Sequence, residues 1–191
     1  MGNILQSLSK TVHASVILAI LLFLGMHFFG EGFAFDRIFW SWLSRYVHVI
    51  VATMWIGLLW YFNFVQIPNM SKISDEQKPA ITKVIAPAAL LYFRWAAAFT
   101  VVSGLILAHL NGYAHEALKL GIGSGYGKNT VVGIGMWLGI IMAYNVWFVI
   151  WPNQKKALGM VDCQPEEKAK SARTAMLFSR TNALLSLPML L

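Results

Sequence analysis

The chain has 191 residues, 58% of them hydrophobic and only 12% charged, with a mean hydropathy of +0.60. Soluble domains carry ~25% charged residues, so the composition excludes an ordinary water-soluble enzyme and predicts an all-α, polytopic membrane helical bundle. The formal charge of +7 does not imply a nucleic-acid partner, because basic residues in a membrane chain set orientation and meet anionic lipid.

Taken in order, the first apolar run covers about 12–29. Lys10 precedes it, as in a signal peptide, but no small-x-small site closes it, so an uncleaved span is expected. A connector, 30–44, mixes Trp, Phe and a few charges and suits the membrane interface. The second span is about 46–65, stopped at Pro68, and Ser74 is expected to cap a short helix in the polar loop that follows. The third span is about 88–110. The Gly-rich loop after it, with GIGSGYG, follows no strand and lacks the GK[ST] of a phosphate loop, so it is read as a flexible connection. The fourth span, about 130–151, is closed by Pro152. Residues 153–173 suit a solvated helix, and 177–191 form a short or truncated fifth span. Four to five spans thus make one membrane domain, 1–191. The chain ends inside an apolar run, which raises the expectation of further sequence beyond Leu191.

Charge asymmetry orients these spans. Lys10, Lys72, Lys78, Lys83, Lys155, Lys156, Lys168, Lys170 and Arg173 fall on one side; Arg37, Arg45, Lys119 and Lys128 fall on the other. The positive-inside rule makes the first side, with the N-terminus, cytoplasmic. A bacterial inner membrane, with the second side periplasmic, is the expected location.

That alternation brings His27, His48 and His109 to a similar depth near the periplasmic face. Two imidazoles on facing helices at one depth, beside an apolar slot, are what a b-type haem needs. His48 and His109 are the expected ligands of the haem iron, with His27 in reserve. Ala52, Trp55 and Leu59 continue the His48 face at helical spacing and could wall the ring. Gly57 and Gly104 allow close approach. There is no CxxCH for covalent haem attachment, and the lone Cys163 rules out an internal disulfide.

A second polar set lies toward the cytoplasmic side. Arg94, Asn145, Arg180 and Asn182 could line a substrate pocket, although such an Arg more often snorkels and such amides more often bridge helices. Carboxylates are absent from the spans, which argues against a proton pump driven by intramembrane acids.

The segments HVIVATMWIGLLWYF (48–62), LYFRWAAAFTVVSGLIL (91–107), IIMAYNVWFVIWPNQKKAL (140–158) and SRTNALLSLPML (179–190) resemble the membrane domain of bacterial PuuD-type, cytochrome c-linked urate hydroxylases. The resemblance runs over most of the chain from residue 46. It implies a helical membrane scaffold that oxidises a small substrate and passes electrons to a cytochrome c. This chain departs from the pattern in lacking the cytochrome c domain, in having four or five spans against about eight, and at Thr181 and Ala96, where the family carries a histidine and an acid. A separate cytochrome is then the expected partner. A non-catalytic subunit of a larger membrane complex, or a small transporter, are the alternatives.

Overall fold

The computed structural model describes residues 2–30, 32, 34–123 and 127–191 and holds no strand among them. The chain divides into two compact units, Met1–Trp40 and Ser41–Leu191.

In the first unit a single helical turn, Gly2–Leu5, precedes α1, Leu8–Phe29. Its 22 residues are apolar almost throughout, and none is buried. A helix apolar on all sides without protein cover is what a lipid-facing span looks like.

Helix α2 runs Arg37–Lys72. It begins well before the expected start near Tyr46, because Asp36 caps it: Oδ1 accepts from the backbone N–H of Ile38 at 2.9 Å and of Phe39 at 3.0 Å. Part of the expected interfacial connector is therefore helical. Helix α3 is Lys78–Leu110 and α5 is Lys128–Ala157, with the short α4, Ala114–Leu118, between them. Residues 124–126 of the Gly-rich connection lie outside the described residues. Ser74 does not cap a helix; its carbonyl accepts from Gln77 and Lys78 in a turn, and α3 starts at Lys78.

The prolines do not stop these helices where the sequence suggests. Helices α2, α3 and α5 each carry a π-helical stretch ending two residues before a proline. These are Tyr61–Gln66 before Pro68, Ile81–Ile85 before Pro87 and Asn145–Ile150 before Pro152. A proline removes an N–H and presses its ring on the carbonyl one turn earlier. A widened turn at that point changes which carbonyl it meets and lets the helix continue.

The last helix, α6, is continuous over Pro165–Met189, with Pro165 at its start and Glu166 and Glu167 in its first turn. No breaker separates the charged segment ending at Arg173 from the apolar stretch beginning at 177. One helix therefore forms where a solvated helix and a separate short span were expected. Lys156 pairs with Glu167 across the connection from α5.

Four helices, α1, α2, α3 and α5, are long and apolar enough to cross a membrane. The core of the second unit joins Trp55, Leu59 and Phe62 of α2 to Leu90, Phe93 and Ala97 of α3 and to Met142, Val146 and Ile150 of α5. Gly133 is obligatory where α4 packs on α5, since a Cβ there would stand 2.0 Å from the Ala117 carbonyl oxygen.

Candidate functional site

Successive turns of one face of α2 present His48, Ala52 and Trp55, the i, i+4, i+7 spacing of a single helical stripe. Within the second unit all three line a cavity of about 230 Å³, open on one side. Thr100, Val101 and Gly104 of α3 form the facing wall, and Met136, Gly139 and Ile140 of α5 with Met189 of α6 complete it. None of the described lining residues is Asp, Glu, Lys or Arg. The lining therefore carries no formal charge.

Two polar groups in this apolar wall stand out, for different reasons. His48 is half-buried, and its Nδ1 lies 3.0 Å from Ser103 Oγ. That hydroxyl directs its single proton to the Phe99 carbonyl at 2.6 Å, with the Thr100 carbonyl at 3.2 Å as the other backbone acceptor. Toward the imidazole it can only accept. In the neutral ring Nδ1 therefore carries the proton and Nε2 keeps its lone pair. Gly104 makes room for the ring, as a Cβ there would meet His48 Cε1 at 3.0 Å.

Trp55 is the second. It is 0% exposed, yet its indole Nε1–H has no hydrogen-bond partner among the described residues. A buried donor left unpaired costs ~1–3 kcal/mol. Two other core-side indoles are served: Trp60 Nε1 donates to Ser186 Oγ at 3.1 Å, and Trp147 Nε1 to the Arg94 carbonyl at 2.9 Å.

The remaining expected residues are placed elsewhere. His109 is exposed near the end of α3 and does not line the cavity. It follows Ser103 by six positions, roughly 9 Å along the axis and about 240° around it, so it leaves a different face of α3 from the one His48 touches. His27, in the first unit, is half-buried with its ring edge-on to Phe28 at 5.2 Å. Of the four polar residues expected to form a pocket, Asn145 and Asn182 do come together. Asn145 Nδ2 donates to Asn182 Oδ1 at 2.9 Å, and Asn182 Nδ2 donates to the Met142 carbonyl at 2.9 Å. Arg180 is exposed on α6, and the Arg94 guanidinium lies 4.0 Å over the Trp151 ring.

Among the described residues no three of His, Cys, Asp and Glu gather as metal ligands. A haem iron asks for less, one or two axial ligands, and His48 Nε2 could be one. The volume fits less well. A cavity of roughly 150 Å³ takes a benzene ring, whereas drug-sized ligands occupy roughly 300–1,000 Å³. The 230 Å³ beside His48 matches one substituted ring, and a porphyrin would have to extend through its open side.

Ser103 and Thr100 were not singled out by sequence. A hydroxyl inside an apolar helix reads as a packing residue, and only its position opposite His48 gives it a role. No known protein family, curated protein or solved structure matches the chain.

Proposed function

We propose that the chain is a multi-pass protein of a bacterial inner membrane, with its N-terminus cytoplasmic. It serves as a redox protein that holds a small, uncharged reactant in the His48 cavity and exchanges electrons with a separate cytochrome. The observation that carries this reading is the combination, in one apolar cavity, of an imidazole with a free lone pair and a buried indole N–H with no partner. A site that holds unpaired polar groups in an apolar wall is built for a ligand that pairs them. The distribution of lysines supports the orientation, and the resemblance to the urate hydroxylase membrane domain supports the redox class. Urate itself is anionic and finds no cationic side chain in this lining.

Small neutral aromatics test the cavity directly. In detergent or nanodiscs, phenol, indole or 1,4-naphthoquinone should raise the melting temperature of the wild type, and urate should not. Gly139→Leu, which would push a branched side chain toward Met189 Sδ, should lose the response. A wild type that none of these stabilises, or a variant that responds equally, overturns the reading.

Haem b is the second reading, favoured by the His48 tautomer. A ring N–H held by a neighbour is how ligating histidines are oriented. His48 would be its imidazole ligand, with the Met136 or Met189 thioether as the other axial candidate in the same wall. A reduced-minus-oxidised spectrum decides: an α-band that survives His109→Ala and disappears in His48→Ala supports haem, and its absence from freshly purified protein removes it.

A further inference from the structure

We propose that the His48 cavity binds the head group of a quinol, with one hydroxyl donating to His48 Nε2 and the opposite oxygen accepting from Trp55 Nε1–H. This rests on the cavity reading above and goes further by naming the ligand.

The donor and acceptor inventory of the wall sets the requirement. Trp55 offers a proton and can accept none. His48, with Nδ1–H engaged by Ser103, offers a lone pair at Nε2. The occupant must therefore supply one acceptor and one donor. Thr100 adds no second demand, because its hydroxyl already donates to the Ala96 carbonyl at 2.7 Å; Tyr113 also lines the cavity, and its phenol, able to donate or accept, is compatible with either hydroxyl of the ring.

Spacing narrows the class. His48 and Trp55 are two turns apart on α2, roughly 10 Å between Cα atoms. One oxygen cannot serve both groups, but a ring with oxygens at opposite ends can. Volume narrows it again, since 230 Å³ exceeds what a bare benzene ring needs and suits a substituted one. The absence of charged lining residues requires the ring to be neutral. The open side leaves an exit for an apolar ring substituent, in helices long and apolar enough to lie in lipid. A quinone satisfies these conditions in part. It has acceptors only, so it can pair Trp55 but leaves Nε2 without a donor.

The reduced form is therefore preferred, and the preference is assigned to His48. Duroquinol, duroquinone and durene, which share one methylated ring, separate the contributions in equilibrium binding to the full chain in nanodiscs. The wild type should bind duroquinol about five- to tenfold more tightly than duroquinone, the worth of one hydrogen bond, and durene more weakly than either. Trp55→Phe should weaken duroquinol and duroquinone alike by a similar factor and leave durene unchanged. His48→Phe should erase the preference for the reduced form. Should that variant fail to fold, Ser103→Ala, which releases the ring to either tautomer, should narrow it. Equal binding of all three compounds by the wild type, or a preference that survives at His48, overturns the quinol assignment while the cavity reading stands. Failure of all three to bind, durene included, removes the cavity reading itself.

Discussion

The second unit contains two buried polar sites, and they are built on opposite principles. Along the inner face of α6, Asn182 accepts from Asn145 and donates to the Met142 carbonyl; Ser179 meets Asn63 Nδ2 at 2.9 Å, although Asn63 Oδ1 is buried without a partner among the described residues. These partners are supplied by the chain itself. Beside His48 the reverse holds: the Trp55 indole N–H has no partner among the described residues, and the cavity lining apart from His48, Trp55, Thr100 and Tyr113 is apolar. Both sites lie among helices that would be surrounded by lipid, where an unpaired polar group has no water to turn to. The difference separates a polar seam paired within the chain from a polar site that is not. Residue type alone does not make that distinction: two asparagines in apolar helices look more like a binding site than a histidine and a tryptophan do.

Removing a member of the saturated seam should give the largest effect. Asn182 is 0% exposed, and Asn182→Ala deletes two hydrogen bonds and leaves the Asn145 side-chain amide without its acceptor. Interhelical hydrogen bonds in membrane proteins are worth ~0.6 kcal/mol on average and ~1.7 at most. A loss of about 1–3 kcal/mol, read as a lower unfolding midpoint in mild detergent, is expected. Binding of neutral rings to the folded variant should stay at the wild-type level. A variant as stable as the wild type that has lost ring binding would reverse the roles assigned to the two sites.

One stripe of the cavity was legible in the sequence, and for a clear reason, although Leu59, expected on the same wall, lies in the core and does not line it. His48, Ala52 and Trp55 fall at helical spacing in one apolar run, and the regular geometry of a helix carries that stripe unchanged into the structure. The facing wall was not legible in the same way. The expected match of His109 to His48 in depth rests on both lying near span ends, and that fixes neither which way a side chain points around α3 nor which residue of α3 stands opposite. Ser103 does stand opposite, and nothing in its local sequence distinguishes it from a spacer. The helix ends show a similar division. Pro68 and Pro152 are strong stop signals for an α-helix, but their effect depends on whether the preceding turn can widen. That is settled by packing against other helices. The start of α2 is readable in principle, because Asp36 immediately before Arg37 is a good N-cap; the aromatic run after it carries the competing signal of an interfacial connector.

Smaller effects are expected at the cavity. Gly104→Ala places a Cβ 3.0 Å from His48 Cε1, so the imidazole must give by a few tenths of an ångström. The cost to stability should be about 1 kcal/mol, with a clear loss of quinol-over-quinone preference as the ring leaves Ser103. Trp55→Phe should change stability least among the core variants and in the unusual direction. It removes a buried donor whose desolvation costs ~1–3 kcal/mol and gives back part of that through lost packing volume. A net gain of up to about 1 kcal/mol without ligand, turning to a deficit when duroquinol is present, would show that the indole N–H is kept for binding. Destabilisation by several kcal/mol without ligand would mean that the N–H has a partner in the protein after all.

The smallest effect sets the floor against which the others are judged. Asp75 accepts from Lys78 Nζ at 2.6 Å in the loop between α2 and α3, with its side chain 93% exposed. The hydrogen bond and charge of Lys78 hold the Asp75 carboxyl below its ordinary range. A depressed carboxyl stabilises the fold at pH above its unfolded value, and that contribution disappears as pH falls through the lowered native value. Full exposure screens the pair, and exposed ion pairs are worth little. Asp75→Asn should therefore leave the unfolding midpoint at neutral pH within experimental scatter, flatten slightly the loss of stability on acidification, and leave ring binding untouched. A larger change at neutral pH would mean that loop contacts rival the buried seam of α6, and the contrast between saturated and waiting polar groups would no longer order the energetics of this bundle.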